Sequence, residues 1–182
     1  QYMAPSVMDE ASLDYLQEHL RILSGFYGML KPMDGVVPYR LEMQARLKPE
    51  LQIQRPSENS TDVEEGTYKT LYQFWDRRLA DALFRETDII VNLASKEYSK
   101  AIAAYLIPQI RFITCIFGEY KGGKIIEKGT FAKMARGEMV RFMAERQAES
   151  PETMKEFDRL GYRFAPEASD EKTYVFVKLF GG

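Results

Sequence analysis

Cysteine and histidine are almost absent from this sequence of 182 residues, which contains one of each. A single cysteine, Cys115, cannot form an internal disulfide, and a single histidine, His19, cannot assemble a multi-histidine metal site. Cys115 lies in an apolar run, residues 110–117, that offers no base to activate a thiol, so we expect a small buried hydrophobic residue there. The sequence therefore predicts no thiol catalysis, no metal and no other cofactor, and it favours the reducing cytoplasm.

Long apolar runs are missing as well. No segment approaches the roughly 18 residues that a membrane-spanning helix needs, and the first residues lack the basic and apolar regions of a signal peptide. Neither charge dominates, because 25 basic side chains face 27 acidic ones for a net charge of −2. With 45% hydrophobic residues, a chain of this size can bury a core without disulfides. We expect a single domain over residues 1–182 with no membrane partner.

Amphipathic helices are indicated by apolar residues that recur at spacings of three and four. The segments with this pattern are 9–20, 71–83, 95–106 and 131–147. Asp9 and Ser12 are N-cap candidates for the first helix, Ser95 is the N-cap candidate for the third, and Pro108 ends the third. These segments predict four helices distributed along the chain.

Strands are predicted where short apolar runs alternate or are continuous. The segments are 20–24, 39–43, 88–93, 110–117, 124–127 and 173–178. For 20–24 the last turn of the preceding helix is the alternative, and Gly118 with Gly122-Gly123 predicts a hairpin between 110–117 and 124–127. Residues 49–66 are polar without an apolar repeat, so we expect a solvated loop. Helices interleaved with strands indicate an α+β fold with a mixed sheet flanked by helices, and α/β is the alternative.

Basic side chains are concentrated in two stretches. Residues 120–146 carry seven basic and three acidic side chains, a net charge of +4, and residues 21–48 carry five and two, a net charge of +3. On a helix, Lys133, Arg136 and Arg141 fall within an arc of about 140°. This face is either a solvated side of an amphipathic helix or a surface that binds the phosphates of nucleic acid. Tyr27 and Tyr39, in the second stretch, could stack on bases beside its arginines, and core tyrosines are the alternative.

Smaller motifs give weaker signals. Gly25 and Gly28 would let backbone amides approach an anion, but their spacing matches neither a dinucleotide fingerprint nor a P-loop. Arg40 and Glu42 would share one face of the strand 39–43, which predicts a structural ion pair. Ser95 follows a predicted strand and has no histidine base, so we interpret it as a helix cap.

Five blocks of this sequence together resemble the family of the peroxide stress protein YaaA. The blocks are residues 20–32, 38–43, 71–75, 91–98 and 132–142. They occur in the family's order and extend the resemblance over most of the chain, from about residue 8 to 178. Members of this family carry a further segment in front, so the resemblance identifies the chain as the C-terminal major portion of a YaaA-like protein.

The resemblance implies a function and a binding surface. It implies a cytosolic protein with a curved mixed sheet and a basic concave cleft, which binds DNA without strong sequence preference and limits the oxidative damage that iron causes under peroxide. A helix-hairpin-helix element is ascribed to the family, and residues 23–28 are its nearest counterpart here. The side chains that we expect to contact double- or single-stranded DNA in the cleft are Lys31, Tyr39, Arg40, Lys133, Arg136 and Arg141. Gly25 and Gly28 form the loop expected to approach the DNA backbone.

A second interpretation is an enzyme that acts on a small anionic substrate in the same cleft. Its candidate residues are Tyr39, Arg40, Asn92, Ser95, Tyr98 and Lys133. A deep pocket would favour this enzyme, and a continuous groove would favour DNA binding. Direct iron storage has little support, because one histidine and one cysteine are a poor set of ligands.

Overall fold

The computed structural model describes residues 3–47, 52–56 and 63–178, with residues 52–56 and 63–67 described by their backbone alone. The chain divides into two compact units. The sheet unit contains Gln1–Leu20, Asp88–Leu93 and Pro108–Gly182, and the Trp75 unit contains Arg21–Thr87 and Ala94–Ile107. The single domain over residues 1–182 stays a prediction.

Helices and short strands alternate along the described chain. The α-helices are α1 (Glu10–His19), α2 (Leu71–Trp75), α3 (Arg78–Phe84), α4 (Lys96–Ala103) and α5 (Gly129–Glu145). The strands are β1 (Ile22–Ser24), β2 (Gly28–Leu30), β3 (Gln52–Pro56), β4 (Val63–Thr67), β5 (Ile89–Asn92), β6 (Arg111–Lys121), β7 (Lys124–Ile126), β8 (Tyr162–Phe164) and β9 (Thr173–Lys178). Short 3-10 helices cover Pro5–Val7, Pro151–Glu156 and Pro166–Ala168.

A mixed sheet organises the sheet unit. Its strands follow the order β5-β6-β9-β8, and β7 also pairs with β6. β6 is parallel to both β5 and β9, whereas β7 and β8 are antiparallel to their neighbours. Parallel and antiparallel pairs in one sheet, together with helices, confirm the predicted α+β class.

The main core of the sheet unit lies between this sheet and α5. Alternate residues of β6, namely Ile113, Cys115 and Phe117, are buried on one face, as the two-residue repeat of a strand requires. Helix α5 and the segment after it complete the cluster with Ala132, Ala135, Met139, Phe142, Met154 and Phe157. The ring of Phe117 stacks on Phe176 of β9 at 5.0 Å between centroids. Burial of each such side chain stabilises the fold by about 1.5–3 kcal/mol.

The Trp75 unit combines small antiparallel ladders with helices. β1 pairs with β2, and β3 pairs with β4. The indole Nε1 of Trp75 donates to the carbonyl of Gly25 at 3.0 Å, so α2 is attached directly to the turn that joins β1 and β2.

Most of the predicted elements are confirmed. α1 begins after Asp9, whose carboxylate accepts the N–H of Ser12 at 2.9 Å as an N-cap does. The strands predicted at 20–24, 88–93, 110–117, 124–127 and 173–178 are present as β1, β5, β6, β7 and β9. Gly122 and Gly123 form the predicted turn at φ values of 59° and 74°, whereas Gly118 lies inside β6.

The predicted strand at 39–43 is wrong. Residues 39–43 form an irregular segment, and the partner of β1 is β2, which the sequence analysis missed. β1 and β2 are joined by three residues only, so β1 closes a local hairpin. The segment 39–43 is attached by side chains instead, as described below.

The solvated loop predicted at 49–66 is wrong where β3 and β4 form an antiparallel ladder. Polar residues can form a ladder through the backbone alone, and such a ladder leaves no apolar repeat in the sequence. The rest of that predicted loop, residues 49–51 and 57–62, lies outside the described residues.

The single helix predicted at 71–83 is divided into α2 and α3. Asp76 ends α2 with a φ of 46° and a ψ of −135°, a backbone conformation that cannot continue a helix. α4 begins after Ser95 as predicted, but the Ser95 side chain makes no capping hydrogen bond. None of the described helices combines the length and the apolar composition that crossing a bilayer requires.

Candidate nucleic-acid interface

The hydroxyl of Ser24 organises the turn between β1 and β2. Its Oγ accepts the backbone N–H groups of Phe26 at 3.2 Å and Tyr27 at 2.8 Å. Ser24 is almost completely buried, so this oxygen satisfies donors that would otherwise lack a partner. The side chains of Phe26 and Tyr27 are therefore presented by a fixed backbone.

Two tyrosine hydroxyls attach the irregular segment 37–39 to this turn. Tyr39 Oη lies 2.5 Å from Ser24 Oγ, and Tyr27 Oη accepts the N–H of Val37 at 2.9 Å. Tyr27 Oη also donates to the Val37 carbonyl at 3.3 Å. Both phenols use their polar end to hold the fold, and their rings remain available for contacts.

Phe26, Tyr27 and Tyr39 form what we call the aromatic cluster. The ring of Phe26 lies 4.9 Å from Tyr27 in an edge-on arrangement and 5.4 Å from Tyr39 at an angle of 35°, measured between centroids. Tyr27 and Tyr39 are 5.5 Å apart, also edge-on. These geometries are the ones that aromatic pairs prefer. Yet Phe26 is 57% exposed and Tyr39 is 42% exposed, so the cluster lies at the surface.

Other protein atoms occupy the space into which a side chain at Gly25 or Gly28 would extend. A Cβ at Gly25 would lie 2.7 Å from the Leu41 carbonyl, and one at Gly28 would lie 2.8 Å from the Trp75 ring. Gly28 also has a left-handed φ of 81°. Packing against Trp75 and Leu41 therefore explains both glycines, and the predicted approach of this loop to a DNA backbone stays a prediction.

Lys31 and Arg40 are exposed basic residues of the Trp75 unit. Within the described residues neither side chain makes an ion pair or hydrogen bond with an acidic group. The predicted ion pair between Arg40 and Glu42 is consequently wrong, because residues 39–43 are not the strand that would have placed both side chains on one face. The guanidinium of Arg40 is free to bind an anion.

The basic residues of α5 behave differently from one another. Lys133 is exposed and has no acidic partner among the described residues. Arg136 Nη2 donates to Glu127 at 3.0 Å, and Arg141 Nε donates to Glu145 at 2.6 Å. A phosphate contact from Arg136 or Arg141 would have to compete with these carboxylates. Lys133 can bind a phosphate without losing an ion pair.

Arg136 joins the β6-β7 hairpin to α5. Glu127, its partner, directly follows β7, and Lys128 at the start of α5 pairs with the buried Glu119 of β6 at 2.6 Å. The sequence predicted that Arg136 binds DNA, and its ion pair with Glu127 was missed. Glu127 and Glu119 each lie within ten residues of their basic partner in the chain. The two ion pairs hold the hairpin against the helix.

The acidic partner of Arg141, Glu145, belongs to a wider ion-pair network that joins α5 to Arg159. Glu145 accepts from both Arg141 and Arg159, and Arg159 also pairs with Glu138 at 3.4 Å. The hydrogen bond from Arg159 is the main cause that lowers the pKa of Glu145. This network keeps Arg141 engaged and reduces its charge toward solvent.

The polar residues proposed for an enzyme are distributed over both units. Asn92 is buried in the sheet unit, where Nδ2 donates to Thr114 Oγ1 at 3.3 Å. Ser95 and Tyr98 belong to the Trp75 unit, and burial raises the pKa of Tyr98. These contacts explain Asn92 structurally, and the enzyme stays a prediction.

The residues predicted to bind DNA are also distributed over the two units. Lys31, Tyr39 and Arg40 lie in the Trp75 unit with Gly25 and Gly28, whereas Lys133, Arg136 and Arg141 lie in the sheet unit. The common cleft inferred from the sequence stays a prediction. Within the Trp75 unit, the structure brings Tyr39 onto Ser24 and Phe26, a contact that the sequence did not reveal.

Comparison with known proteins identifies the family. The sequence model described as the peroxide stress protein YaaA matches residues 1–168. The UPF0246 proteins of Agathobacter rectalis and Lachnoclostridium phytofermentans are 53% and 52% identical to the chain over 178 residues, or 98% of its length. The UPF0246 protein of Pediococcus pentosaceus is 48% identical over the same share. The chain spans 65% and 64% of the length of the first two relatives and 64% of the third. With a match over this much of its length, the chain belongs to the family of the peroxide stress protein YaaA.

Proposed function

We propose that this protein binds DNA without sequence preference in the cytoplasm during the response to peroxide. The observation that carries the proposal is that three of the six side chains predicted to contact DNA, Lys31, Arg40 and Lys133, are exposed cations without an acidic partner in the part of the chain that the structure describes. A cation that is already paired gives up an ion pair when it binds phosphate, whereas a free one gains a contact. These three side chains are therefore the proposed phosphate contacts, whereas Arg136 and Arg141 are paired with Glu127 and Glu145.

Phosphate binding through lysine and arginine does not depend on base sequence. Each neutralised phosphate releases condensed counterions, so affinity falls as salt rises.

Counterion release also provides a physical link to iron. Ferrous ions are among the cations that accumulate along the phosphates of DNA, and a protein that neutralises those phosphates displaces them. Less iron is then present at the DNA surface to react with peroxide and form the radicals that cause strand breaks. Protection in this form needs neither a catalytic residue nor iron held by the protein.

The test of DNA binding is fluorescence anisotropy with a labelled duplex over a series of salt concentrations. We expect the logarithm of the affinity to fall linearly with the logarithm of salt, by about 0.9 for each phosphate contacted. Duplexes of unrelated sequence should give the same line. Affinity that is absent at low salt, or that is independent of salt, contradicts the proposal.

The test of protection is strand cleavage of the same duplex by ferrous iron and hydrogen peroxide. The 182-residue chain should reduce cleavage at low salt, and the variant Arg40→Gln should reduce it less at equal protein concentration. Equal protection by both proteins would separate protection from phosphate binding and contradict the proposed link.

A further inference from the structure

We propose that the aromatic cluster of Phe26, Tyr27 and Tyr39 is a stacking site for the unpaired bases of single-stranded DNA. This inference rests on the proposed function and specifies the form of DNA that the Trp75 unit prefers. Base stacking on aromatic side chains tolerates any sequence, because every base has a π face. The cluster would therefore select unpaired strands without selecting bases.

Phe26 is the key residue of this site. It is 57% exposed, has no polar group and is the most exposed ring of the cluster. A large apolar side chain in water is unfavourable unless it covers something, and contiguous exposed apolar surface marks interaction sites. Met33, Val36 and Val37, further along the chain, are large apolar residues that are exposed as well.

The cluster is fixed before any ligand arrives. The backbone of Phe26 and Tyr27 is held by Ser24 Oγ, and the hydroxyls of Tyr27 and Tyr39 are held by Val37 and Ser24. Little side-chain entropy remains to be lost when a base stacks on these rings. The backbone that presents Phe26 and the rings of both tyrosines are therefore already in position for stacking.

Cations adjoin the rings in the chain. Arg40 directly follows Tyr39, and Lys31 follows β2, and both are exposed without an acidic side-chain partner in the described residues. Asp34, the acidic residue nearest to Lys31 in sequence, uses its carboxylate to accept the backbone N–H of Lys31 at 2.8 Å. A chain segment that carries both exposed rings and free cations suits a nucleotide, which offers a base and a phosphate.

Another exposed ring shows why the aromatic cluster is distinct. Phe131 of the sheet unit is 41% exposed, but Lys178 Nζ lies over its ring at 4.6 Å and Lys128 Nζ at 5.9 Å. Those ammonium groups already contact that ring. In the described part of the chain no cation lies over Phe26, so its ring can receive a base.

The experiment compares a single-stranded oligonucleotide that carries 2-aminopurine with the duplex of the same sequence. Stacking on the cluster should quench 2-aminopurine fluorescence in the wild-type chain. Phe26→Leu, which keeps an apolar side chain and removes the π face, should weaken single-strand binding roughly tenfold and abolish quenching. Duplex binding should change less than twofold. Phe131→Leu is the matched control and should change neither.

The outcomes distinguish a failure of the proposed function from a failure of the stacking site alone. If the wild-type chain binds neither form of DNA, the proposed function fails. If duplex binding persists with its salt dependence and Phe26→Leu leaves single-strand affinity and quenching unchanged, the stacking site alone is wrong. An equal loss for both forms of DNA also overturns it. Phe26→Trp, a larger π face at the same exposed position, should strengthen single-strand binding, which provides a test that does not depend on the leucine variant.

Discussion

At the residue scale, Trp75 determines why two positions of the β1-β2 turn are glycine. Its Nε1 donates to the Gly25 carbonyl, and its ring occupies the space where a side chain of Gly28 would begin. The indole therefore sets the shape of the turn that presents Phe26 and Tyr27. A residue of α2, fifty positions away in the chain, supports the proposed binding surface.

Gly28→Ala should destabilise the chain strongly. The methyl group would meet the Trp75 ring at 2.8 Å, and the φ of 81° costs an alanine about 1–2 kcal/mol by itself. We expect a loss of roughly 2–4 kcal/mol in the free energy of unfolding by urea, from this strain and the overpacking together. Gly122→Ala, with a φ of 59° and nothing within 4 Å, isolates the backbone cost. Equal losses in both variants would contradict the role of Trp75.

Cys115 should be inert toward thiol reagents and peroxide in the native protein. Burial raises the pKa of its thiol to about 12, although the charge of Arg136 opposes that rise, so almost no thiolate exists at neutral pH. Labelling with a chromogenic disulfide at pH 7.5 should proceed only as fast as unfolding allows, and denaturant should release one thiol at once. Rapid labelling without denaturant would contradict this and would make Cys115 a peroxide-sensing candidate.

Some properties of single residues could be predicted from the sequence and others could not. The burial of Cys115 and the cap at Asp9 were predicted because neighbours in the chain decide both. The contact between Ser24 and Tyr39 was not predicted, because it joins side chains fifteen residues apart across an irregular segment. The pairing of Arg136 with Glu127 was missed because nine residues separate them, across the junction of a strand and a helix.

At the scale of elements, the hydrophobic pattern was a good guide where a strand or helix covers a core. β6 was predicted because its alternate residues are buried, β9 because its apolar residues are buried on both faces, and α5 because its apolar side faces the core. The pattern failed for β3 and β4, which pair along a polar stretch of sequence, and at Asp76, where one residue with a positive φ interrupts an otherwise regular helical repeat.

Glu152 connects three elements at the beginning of the parallel strands. Its carboxylate accepts from Lys155 at 2.5 Å, from Tyr174 of β9 at 2.7 Å and from Arg111 of β6 at 3.0 Å. The hydrogen bonds from Lys155, Tyr174 and Arg111, in that order, lower the pKa of Glu152 from 4.5 to about 2. The ionised form therefore stabilises the fold.

Stability should depend on Glu152 in an acidic range. A carboxylate whose pKa is lower in the folded chain contributes its full stabilisation above pH 4.5 and loses it as the pH falls to about 2. Glu152→Gln should thus cost on the order of 1 kcal/mol at pH 7, because solvent screens a half-exposed group. The difference from wild type should shrink toward pH 2 in thermal unfolding. Glu156→Gln, which removes the more exposed pair with Arg146, is the control. A difference that does not change with pH would contradict this assignment.

At the scale of the whole molecule, the family and the fold class could be predicted from the sequence. Which basic side chains are paired with carboxylates could not. Five sequence blocks identified the YaaA family, which the match over residues 1–168 confirms. Counting charges could not reveal that Arg136 and Arg141 hold carboxylates while Lys31, Arg40 and Lys133 do not. Net charge is a property of composition, whereas free charge depends on side-chain contacts that only coordinates provide.

A double variant tests whether both units contribute to one DNA complex. Arg40 belongs to the Trp75 unit and Lys133 to the sheet unit. If each contacts a phosphate of the same duplex, Arg40→Gln with Lys133→Gln should lower the salt slope by about 1.8, twice the effect of one substitution. The slope should be measured on one duplex by fluorescence anisotropy. A double variant that resembles a single one would show that the two residues do not bind the duplex together.

The most direct measurement compares the salt dependence of duplex binding for Arg40→Gln and Arg141→Gln. Both substitutions remove one positive charge, but Arg40 has no acidic partner in the described chain and Arg141 is paired with Glu145 at 2.6 Å. We expect Arg40→Gln to lower the log-log slope by about 0.9 and Arg141→Gln to leave it unchanged. An equal reduction in both variants, or a reduction in Arg141→Gln alone, would show that free cations are not what binds DNA.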